Sequence, residues 1–160
     1  MNIYLIRHGE AEPTSNDKPH EKRELTAEGI EILKASVETW KKFLDTFNII
    51  LSSPLKRAKQ TASIIKQIFN VQTDVMEVIS LANGGVTEDL LNLAESLDLE
   101  DIAMVGHQPD ISSHISRLVG TSEFNSRVQP ATIIKISFNS NPRMGRGKLE
   151  FFIPPVNKKG

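Results

Sequence analysis

The 160-residue chain contains no cysteine. It can therefore form no disulfide, hold no zinc through thiolates and use no thiol as a nucleophile. An excess of one charge is also lacking, since 19 basic and 20 acidic residues leave a formal net charge of −1. A chain with this balance has no broad basic field to attract nucleic acid or an anionic membrane. We expect neither partner, and the missing thiols fit a cytoplasmic protein.

Long hydrophobic runs are missing too. No apolar stretch is long enough to span a bilayer, and the short apolar run at residues 3–6 follows no basic segment of the kind that opens a signal peptide. No internal repeat, low-complexity segment or linker divides the chain. The length therefore predicts one domain over residues 1–160, with enough chain to bury a sizeable core.

The chain does contain a regular alternation of short apolar runs and longer amphipathic segments. The apolar runs predict strands at residues 2–6, 48–52, 73–78, 101–106, 132–138 and 148–153. The amphipathic segments predict helices at residues 27–46, from 53 to about 69, 86–97 and 110–119. This order predicts an α/β fold, a three-layer sandwich whose mostly parallel central sheet is flanked by helices, with a less parallel C-terminal edge.

Two of these helices begin with recognisable signals. Thr26 is the predicted N-cap of the helix at 27–46, because its hydroxyl can accept from a free backbone N–H of the first turn. Ser53 is the predicted N-cap of the next helix, with Pro54 at the first helical position.

Four polar residues follow predicted strands at similar places. Arg7 and His8 come directly after the first strand, Arg57 lies in the first helical turn after the second, and His107 follows the fourth. Open α/β sheets bind ligands at the carboxyl ends of their parallel strands. Arginine offers a planar fork for phosphate oxygens, and histidine can act as a nucleophile at neutral pH. The pattern predicts an anion site at one edge of the sheet.

Each of these residues also has a plainer interpretation. Arg7 could pair with a carboxylate in a loop, and His8 and His107 could be packed loop histidines. Arg57 could belong to a solvated basic helix face. A cation in a first helical turn opposes the helix dipole, however, and a bound anion there would offset that cost. These interpretations do not explain why the residues cluster at one sheet edge.

Metal and cofactor motifs are weak. No His-Glu-x-x-His pattern occurs, and His107 and His114 are seven residues apart, which is not a usual spacing for metal ligands. The pair Gly84-Gly85 predicts a turn rather than a phosphate loop. His20 lies in a polar loop and carries no signal of its own. We expect no metal and no cofactor.

Four blocks of the sequence resemble the histidine phosphatase superfamily, which includes phosphoglycerate mutases and acid phosphatases. They read LIRHGE at residues 5–10, RELTAEG at 23–29, SSPLKRAKQTA at 52–62 and VGHQP at 105–109. Their order and spacing agree with the family over about residues 2–153. Only 49 residues separate Arg57 from His107, where mutases carry a longer insertion. The chain therefore resembles the compact branch typified by bacterial phosphohistidine phosphatases of the SixA type.

The resemblance implies a mechanism. His8 would attack phosphorus and become phosphorylated, and water would then hydrolyse the phosphohistidine. Arg7, Arg57 and His107 would hold the phosphoryl oxygens, and Arg23 could reach the same pocket. The family's acidic proton donor has no clear match here, although Glu77 and Glu88 lie in the right region of the chain.

The resemblance also leaves the substrate open. It implies either a phosphorylated protein, such as one that carries phosphohistidine on a signalling or transfer domain, or a small phosphate ester. A small-molecule phosphatase or mutase of the same superfamily and a non-catalytic phosphate-binding module are the alternatives. A mutase fits the short interval poorly, because it must retain its substrate between two transfers.

Overall fold

A computed structural model describes residues 1–157, and a six-stranded sheet runs through them. Along the chain the strands are β1 (Asn2–Arg7), β2 (Ile49–Ser52), β3 (Met76–Glu77), β4 (Asp101–Gly106), β5 (Ile133–Ser137) and β6 (Lys148–Ile153). In space they lie in the order β3-β2-β4-β1-β5-β6. The first four pair in parallel, while β5 and β6 are antiparallel to their neighbours. The predicted mostly parallel sheet with a less parallel C-terminal edge is confirmed.

Four helices cover the two faces of this sheet: α1 (Ala27–Trp40), α2 (Lys56–Phe69), α3 (Thr87–Leu97) and α4 (Asp110–Val119). The side chains of β1 alternate between the faces. Tyr4 and Ile6 pack in the apolar cluster under α1 and α2, whereas Ile3 and Leu5 pack in the cluster under α3 and α4. The result is the predicted three-layer sandwich. Within residues 1–157, none of the helices combines the length and the apolar character that crossing a membrane requires.

The predicted helix at 27–46 ends early. Thr26 does cap α1, since its Oγ1 accepts from the Gly29 N–H at 2.9 Å. The α-helix stops at Trp40, and the chain continues in tight turns in which the N–H groups of Phe43 and Leu44 both donate to the Trp40 carbonyl. Leu44 is nevertheless buried. The apolar spacing therefore continued past the end of the helix and made the predicted helix too long.

The predicted strand at 73–78 is reduced to two residues. β3 is an edge strand that pairs only with Leu51 and Ser52 of β2. In the residues before β3, a side chain and not a neighbouring strand bonds the backbone carbonyls. Lys66 Nζ donates to the carbonyls of Val71 and Thr73 at 2.8 and 2.7 Å. Local side-chain capping of this kind competes with a sheet ladder.

The helix after β2 begins later than the Ser53-Pro54 signal predicted. Its N-cap is Leu55 and its first residue is Lys56, so Pro54 precedes the helix. Ser53 Oγ still accepts from the Leu55 N–H at 3.2 Å, which satisfies one backbone donor at the entry. Arg57 remains in the first turn, as expected.

Candidate active site

The register of two parallel strands brings His8 and His107 together. Arg7 of β1 stands opposite Gly106 of β4, so the next residue of each strand is a histidine at the same edge of the sheet. The backbone N–H of His8 donates to the Gly106 carbonyl at 3.2 Å, and this bond holds the ends of β1 and β4 side by side. The ring centroids of His8 and His107 are 5.0 Å apart.

The hydrogen bonding of His8 assigns its proton. Its Nδ1 lies 2.7 Å from the Gly9 carbonyl oxygen, which can only accept, so Nδ1 carries the hydrogen. The lone pair is therefore on Nε2. The side chain is buried, and burial, together with the nearby charges of Arg57 and Arg7, lowers the pKa of His8 to about 3 against the opposing hydrogen bond to Gly9. At neutral pH His8 is an uncharged imidazole with Nε2 unprotonated.

Ser53 contacts one ring nitrogen of His107. The Ser53 hydroxyl accepts from the Leu55 N–H and lies 2.7 Å from His107 Nε2. A hydroxyl can donate as well as accept, and when its hydrogen points at Nε2 the imidazole proton is on Nδ1. His107 Nδ1 is buried and without a hydrogen-bond partner among residues 1–157. Burial, followed by the charge of Arg57, lowers the pKa of His107 to about 4.

The two arginines are anchored alike. Arg7 Nη1 donates to the Val128 carbonyl at 2.7 Å, and Arg57 Nη1 donates to the His20 carbonyl at 2.9 Å. In each guanidinium the Nε atom is buried and lacks a hydrogen-bond partner within the described chain. A buried N–H that no protein group satisfies calls for an external acceptor.

Arg57 does not lie on a solvated helix face. Its exposed fraction is 3%, whereas its basic neighbours on α2 point outward. Lys56 pairs with Glu24 at 2.7 Å, and Lys59 pairs with Glu77 at 2.8 Å. The solvated-face interpretation therefore suits the two lysines and not Arg57.

Arg23 reaches the same region from the loop before α1. Its Nε donates to the Glu12 carbonyl at 2.7 Å, and its Nη1 lies 3.2 Å from Nδ1 of His20. Its positive charge contributes to the lowered pKa of both Arg57 and His107. Arg7 and Arg57 thus act on both histidines, and Arg23 acts on His107.

The two candidate proton donors are engaged elsewhere. Glu77 forms the ion pair with Lys59 described above, and Glu88 on α3 pairs with Arg117 of α4. The charges that act on the pKa of His8 and His107 come from arginines and histidines. The assignment of either glutamate as a general acid therefore stays a hypothesis.

The cluster is suited to a tetrahedral oxyanion. The unpaired N–H groups of Arg7, Arg57 and His107 offer donors to equatorial oxygens, while His8 Nε2 offers a lone pair. Over residues 1–157, no three His, Asp or Glu side chains form a group that could hold a metal ion.

Sequence reasoning missed two members of the cluster. Ser53 was selected only as a helix cap, yet its hydroxyl also contacts His107. His20 was assigned no role, yet its carbonyl and its ring both contact Arg57. Only the nearness of His20 to the block at residues 23–29 could have drawn attention to it.

Comparison with known proteins finds a matching family model and a similar phosphatase. The family model of the histidine phosphatase superfamily (branch 1) matches residues 3–96. The chain is 29% identical over 152 residues to the phosphohistidine phosphatase SixA homolog of Haemophilus influenzae, a match that covers 88% of this chain and 90% of that protein.

Solved structures share the fold. The protein histidine phosphatase SixA complexed with tungstate superposes with a TM-score of 0.85 at 18% identity, covering 96% of this chain and 97% of that one. A phosphoserine phosphatase variant from Entamoeba histolytica, in complex with phosphoserine, gives a TM-score of 0.71 at 20% identity, covering 95% and 96%.

Proposed function

This chain belongs to the histidine phosphatase superfamily, and from that premise we propose that it removes the phosphoryl group from phosphohistidine on a protein. The reaction would pass through a phosphorylated His8. The observation that carries the proposal is the state of His8, a buried neutral imidazole close to Arg7 and Arg57, whose Nδ1 is bonded to a carbonyl and whose Nε2 has the lone pair.

The first step is attack by His8 Nε2 on phosphorus. The substrate ring is protonated on the nitrogen that does not carry phosphorus. A bond forms between His8 Nε2 and phosphorus while the bond from phosphorus to the substrate nitrogen breaks, and the electron pair of that bond stays on the ring, which leaves as a neutral imidazole. The Gly9 carbonyl stabilises the positive charge that develops on the His8 ring, because it accepts the Nδ1 hydrogen at 2.7 Å. Water then attacks phosphorus and the bond to Nε2 breaks. Inorganic phosphate is released, and neutral His8 is regenerated.

The arginines and His107 would hold the transferred group. Among residues 1–157, the buried Nε atoms of Arg7 and Arg57 and the buried Nδ1 of His107 have no hydrogen-bond partner. In a buried site, donors fixed in advance stabilise charge on the equatorial oxygens without reorganising. Arg23 adds positive charge at the rim. Positive charge from arginine takes the place that a metal ion has in other phosphoryl-transfer sites.

The choice of phosphohistidine rests on the leaving group. An alkoxide is a strong base and needs a general acid as it departs. A phosphoimidazole can be protonated on its ring and leaves as an imidazole, whose conjugate acid has a pKa near ~6.5. Because Glu77 and Glu88 are both held in ion pairs, a substrate that departs without their help suits this site best.

The choice of a protein-borne group rests on the compact chain. The 49 residues between Arg57 and His107 form the rest of α2, β3, a single 3-10 turn, α3 and β4. Within the described chain, no separate segment between these two residues is left to cover the site. The H. influenzae relative bears the name of a phosphohistidine phosphatase, which supports the same choice.

The deciding experiment compares kcat/KM at neutral pH for a phosphohistidine-bearing protein, a sugar phosphate and phosphoserine. We expect the phosphohistidine protein to be the best substrate. A clear preference for a small ester would instead assign a small-molecule phosphatase, as the similarity to a phosphoserine phosphatase structure allows.

The same preparation tests the nucleophile. His8→Ala should abolish turnover, and mass spectrometry of the quenched protein should show one phosphoryl group on the wild type and none on the variant. Because His8 lies in a loop beyond β1, the fold should survive, which urea unfolding checks. Turnover by folded His8→Ala protein would contradict the assignment.

A further inference from the structure

One residue outside the four sequence blocks contacts Arg57 of the site. His20 begins the single-turn 3-10 helix His20–Lys22, which lies before the loop that carries Arg23. Its carbonyl oxygen accepts from Arg57 Nη1 at 2.9 Å, and its ring Nε2 lies 2.9 Å from Arg57 Nη2. One residue therefore contacts both terminal nitrogens of the Arg57 guanidinium.

Both ring nitrogens of His20 face a guanidinium: Nε2 lies 2.9 Å from Arg57 Nη2, and Nδ1 lies 3.2 Å from Arg23 Nη1. A guanidinium only donates and a neutral imidazole accepts at one nitrogen, so the ring accepts a hydrogen bond from only one of the two arginines. We assign the lone pair to Nε2, which makes the shorter contact, and the ring hydrogen to Nδ1. Burial, then the charges of Arg57 and Arg23, lower the pKa of His20 against the opposing charge of Glu21, which agrees with a neutral ring.

The arrangement determines which edge of Arg57 remains free. The outer edge, formed by Nη1 and Nη2, is held by His20. The inner edge, formed by Nε and Nη2, includes the buried Nε–H without a partner. The guanidinium is a rigid plane, so holding one edge sets the direction of the other. Arg7 is similar, with Nη1 held by a carbonyl and Nε left free.

We propose that His20 is a positioning residue of the phosphate site, because its carbonyl and its neutral ring hold the outer edge of Arg57 and direct the Nε edge at the phosphoryl group. The inference rests on the proposed function in one respect, that Arg57 binds phosphate. His20 acts through Arg57, and no contact of His20 with the phosphoryl group is required.

The test measures the Kd for inorganic phosphate by titration calorimetry, which needs no turnover. His20→Ala keeps the carbonyl contact and loses the ring contact, and we expect Kd to rise about tenfold, the range of one charge-assisted hydrogen bond. His20→Gln should recover part of the affinity, because its amide oxygen can accept from Arg57. Lys22→Ala, an exposed change in the same 3-10 turn, should leave Kd unchanged.

A double-mutant cycle separates positioning from direct binding. If His20 acts through Arg57, His20→Ala should change Kd much less in an Arg57→Lys background than in the wild type. Additive effects of the two changes, or an unchanged Kd in His20→Ala, would overturn the inference. Wild-type protein that binds phosphate but turns over no phosphohistidine would count against the proposed reaction alone.

Discussion

A single backbone carbonyl decides the protonation of His8. The contact of Nδ1 with the Gly9 oxygen leaves the lone pair on Nε2, and burial among arginines keeps the ring uncharged. At His107 a hydroxyl replaces the carbonyl, and when this hydroxyl donates to Nε2 the ring hydrogen is on Nδ1. In that tautomer the two neighbouring imidazoles have different free atoms, a lone pair on His8 and a hydrogen on His107. The proposed roles, nucleophile for His8 and donor to an oxyanion for His107, require this difference.

Removal of the Ser53 hydroxyl should therefore impair His107. In Ser53→Ala, His107 Nε2 loses its hydrogen-bond partner. The tautomer with the hydrogen on Nδ1 is then no longer favoured by that contact. We expect kcat/KM to fall about tenfold, which corresponds to ~1.4 kcal/mol. Steady-state kinetics checks this, and Ser63→Ala on the exposed face of α2 is the matched control. Equal rates for the two variants would remove Ser53 from the site.

The planar fork of Arg57 should matter more than its charge. Arg57→Lys keeps one positive charge but cannot donate to both His20 contacts and still present an inner N–H. We expect kcat/KM to fall at least tenfold, or ~1.4 kcal/mol. The reciprocal exchange Lys59→Arg, at an outward-facing position of α2 paired with Glu77, should leave the rate unchanged. A fully active Arg57→Lys protein would show that charge alone is sufficient.

At the scale of elements, α1 supports the loop that carries His8. The Thr26 N–H donates to the Glu10 carbonyl at 3.0 Å, so the start of the helix abuts the chain just after His8. Gly29 makes this approach possible, because a Cβ there would lie 2.2 Å from the Glu10 oxygen. The block at residues 23–29 therefore contributes close packing around His8 as well as Arg23.

Gly29→Ala tests that packing, because close packing and helix propensity change the free energy of unfolding in opposite directions. In an open helix position the exchange raises stability by up to about 1 kcal/mol, because alanine favours helix more than glycine. At Gly29 the contact with backbone should instead lower the free energy of unfolding by ~1–3 kcal/mol. Urea unfolding measures the change, and Ala35→Gly, at an exposed position of α1, reports helix propensity alone. A stabilised Gly29→Ala protein would show that the loop has room to move.

The sequence predicted best the strands that are buried on both faces of the sheet, because such strands appear as continuous apolar runs. β1 and β4 are buried apolar strands in the centre of the sheet, and each was predicted within one residue. The end of α1 and the length of β3 were wrong, because tight turns after Trp40 and the side-chain bonds of Lys66 decide them. Such local hydrogen bonds leave little trace in apolar periodicity.

At the scale of the whole molecule, topology explains why the site could be predicted at all. β1, β2 and β4 are parallel neighbours, so the residues that follow them meet at one edge. Strand ends alone therefore grouped His8, Arg57 and His107. The contacts of His20 and Ser53 depend on loop conformation and on which ring nitrogen carries a hydrogen, and neither is encoded in residue spacing.

Gathering buried histidines among arginines has a cost in stability that depends on pH. Folding lowers the pKa of His8 to about 3 and of His107 to about 4, while an unfolded chain keeps values near ~6.5. Below pH 6.5 the unfolded state therefore binds more protons than the folded state, and stability falls as the pH falls toward those folded values. Above pH 6.5 both states hold neutral rings and the effect vanishes.

The free energy of unfolding should accordingly be lower at pH 5 than at pH 7. Each histidine contributes up to about 2 kcal/mol, from 1.5 pH units at ~1.36 kcal/mol per unit. Urea unfolding at both values, in a buffer free of phosphate and sulfate, measures the difference, because bound anions would stabilise the folded state. The double variant His8→Gln/His107→Gln removes both groups and should lose several kcal/mol less between pH 7 and pH 5. The double variant keeps every carboxylate of the wild type, so the contribution of those groups cancels in the comparison. If the wild type and the double variant lost the same stability, the two rings would not be neutral in the folded protein, and His8 could not attack phosphorus in the way proposed.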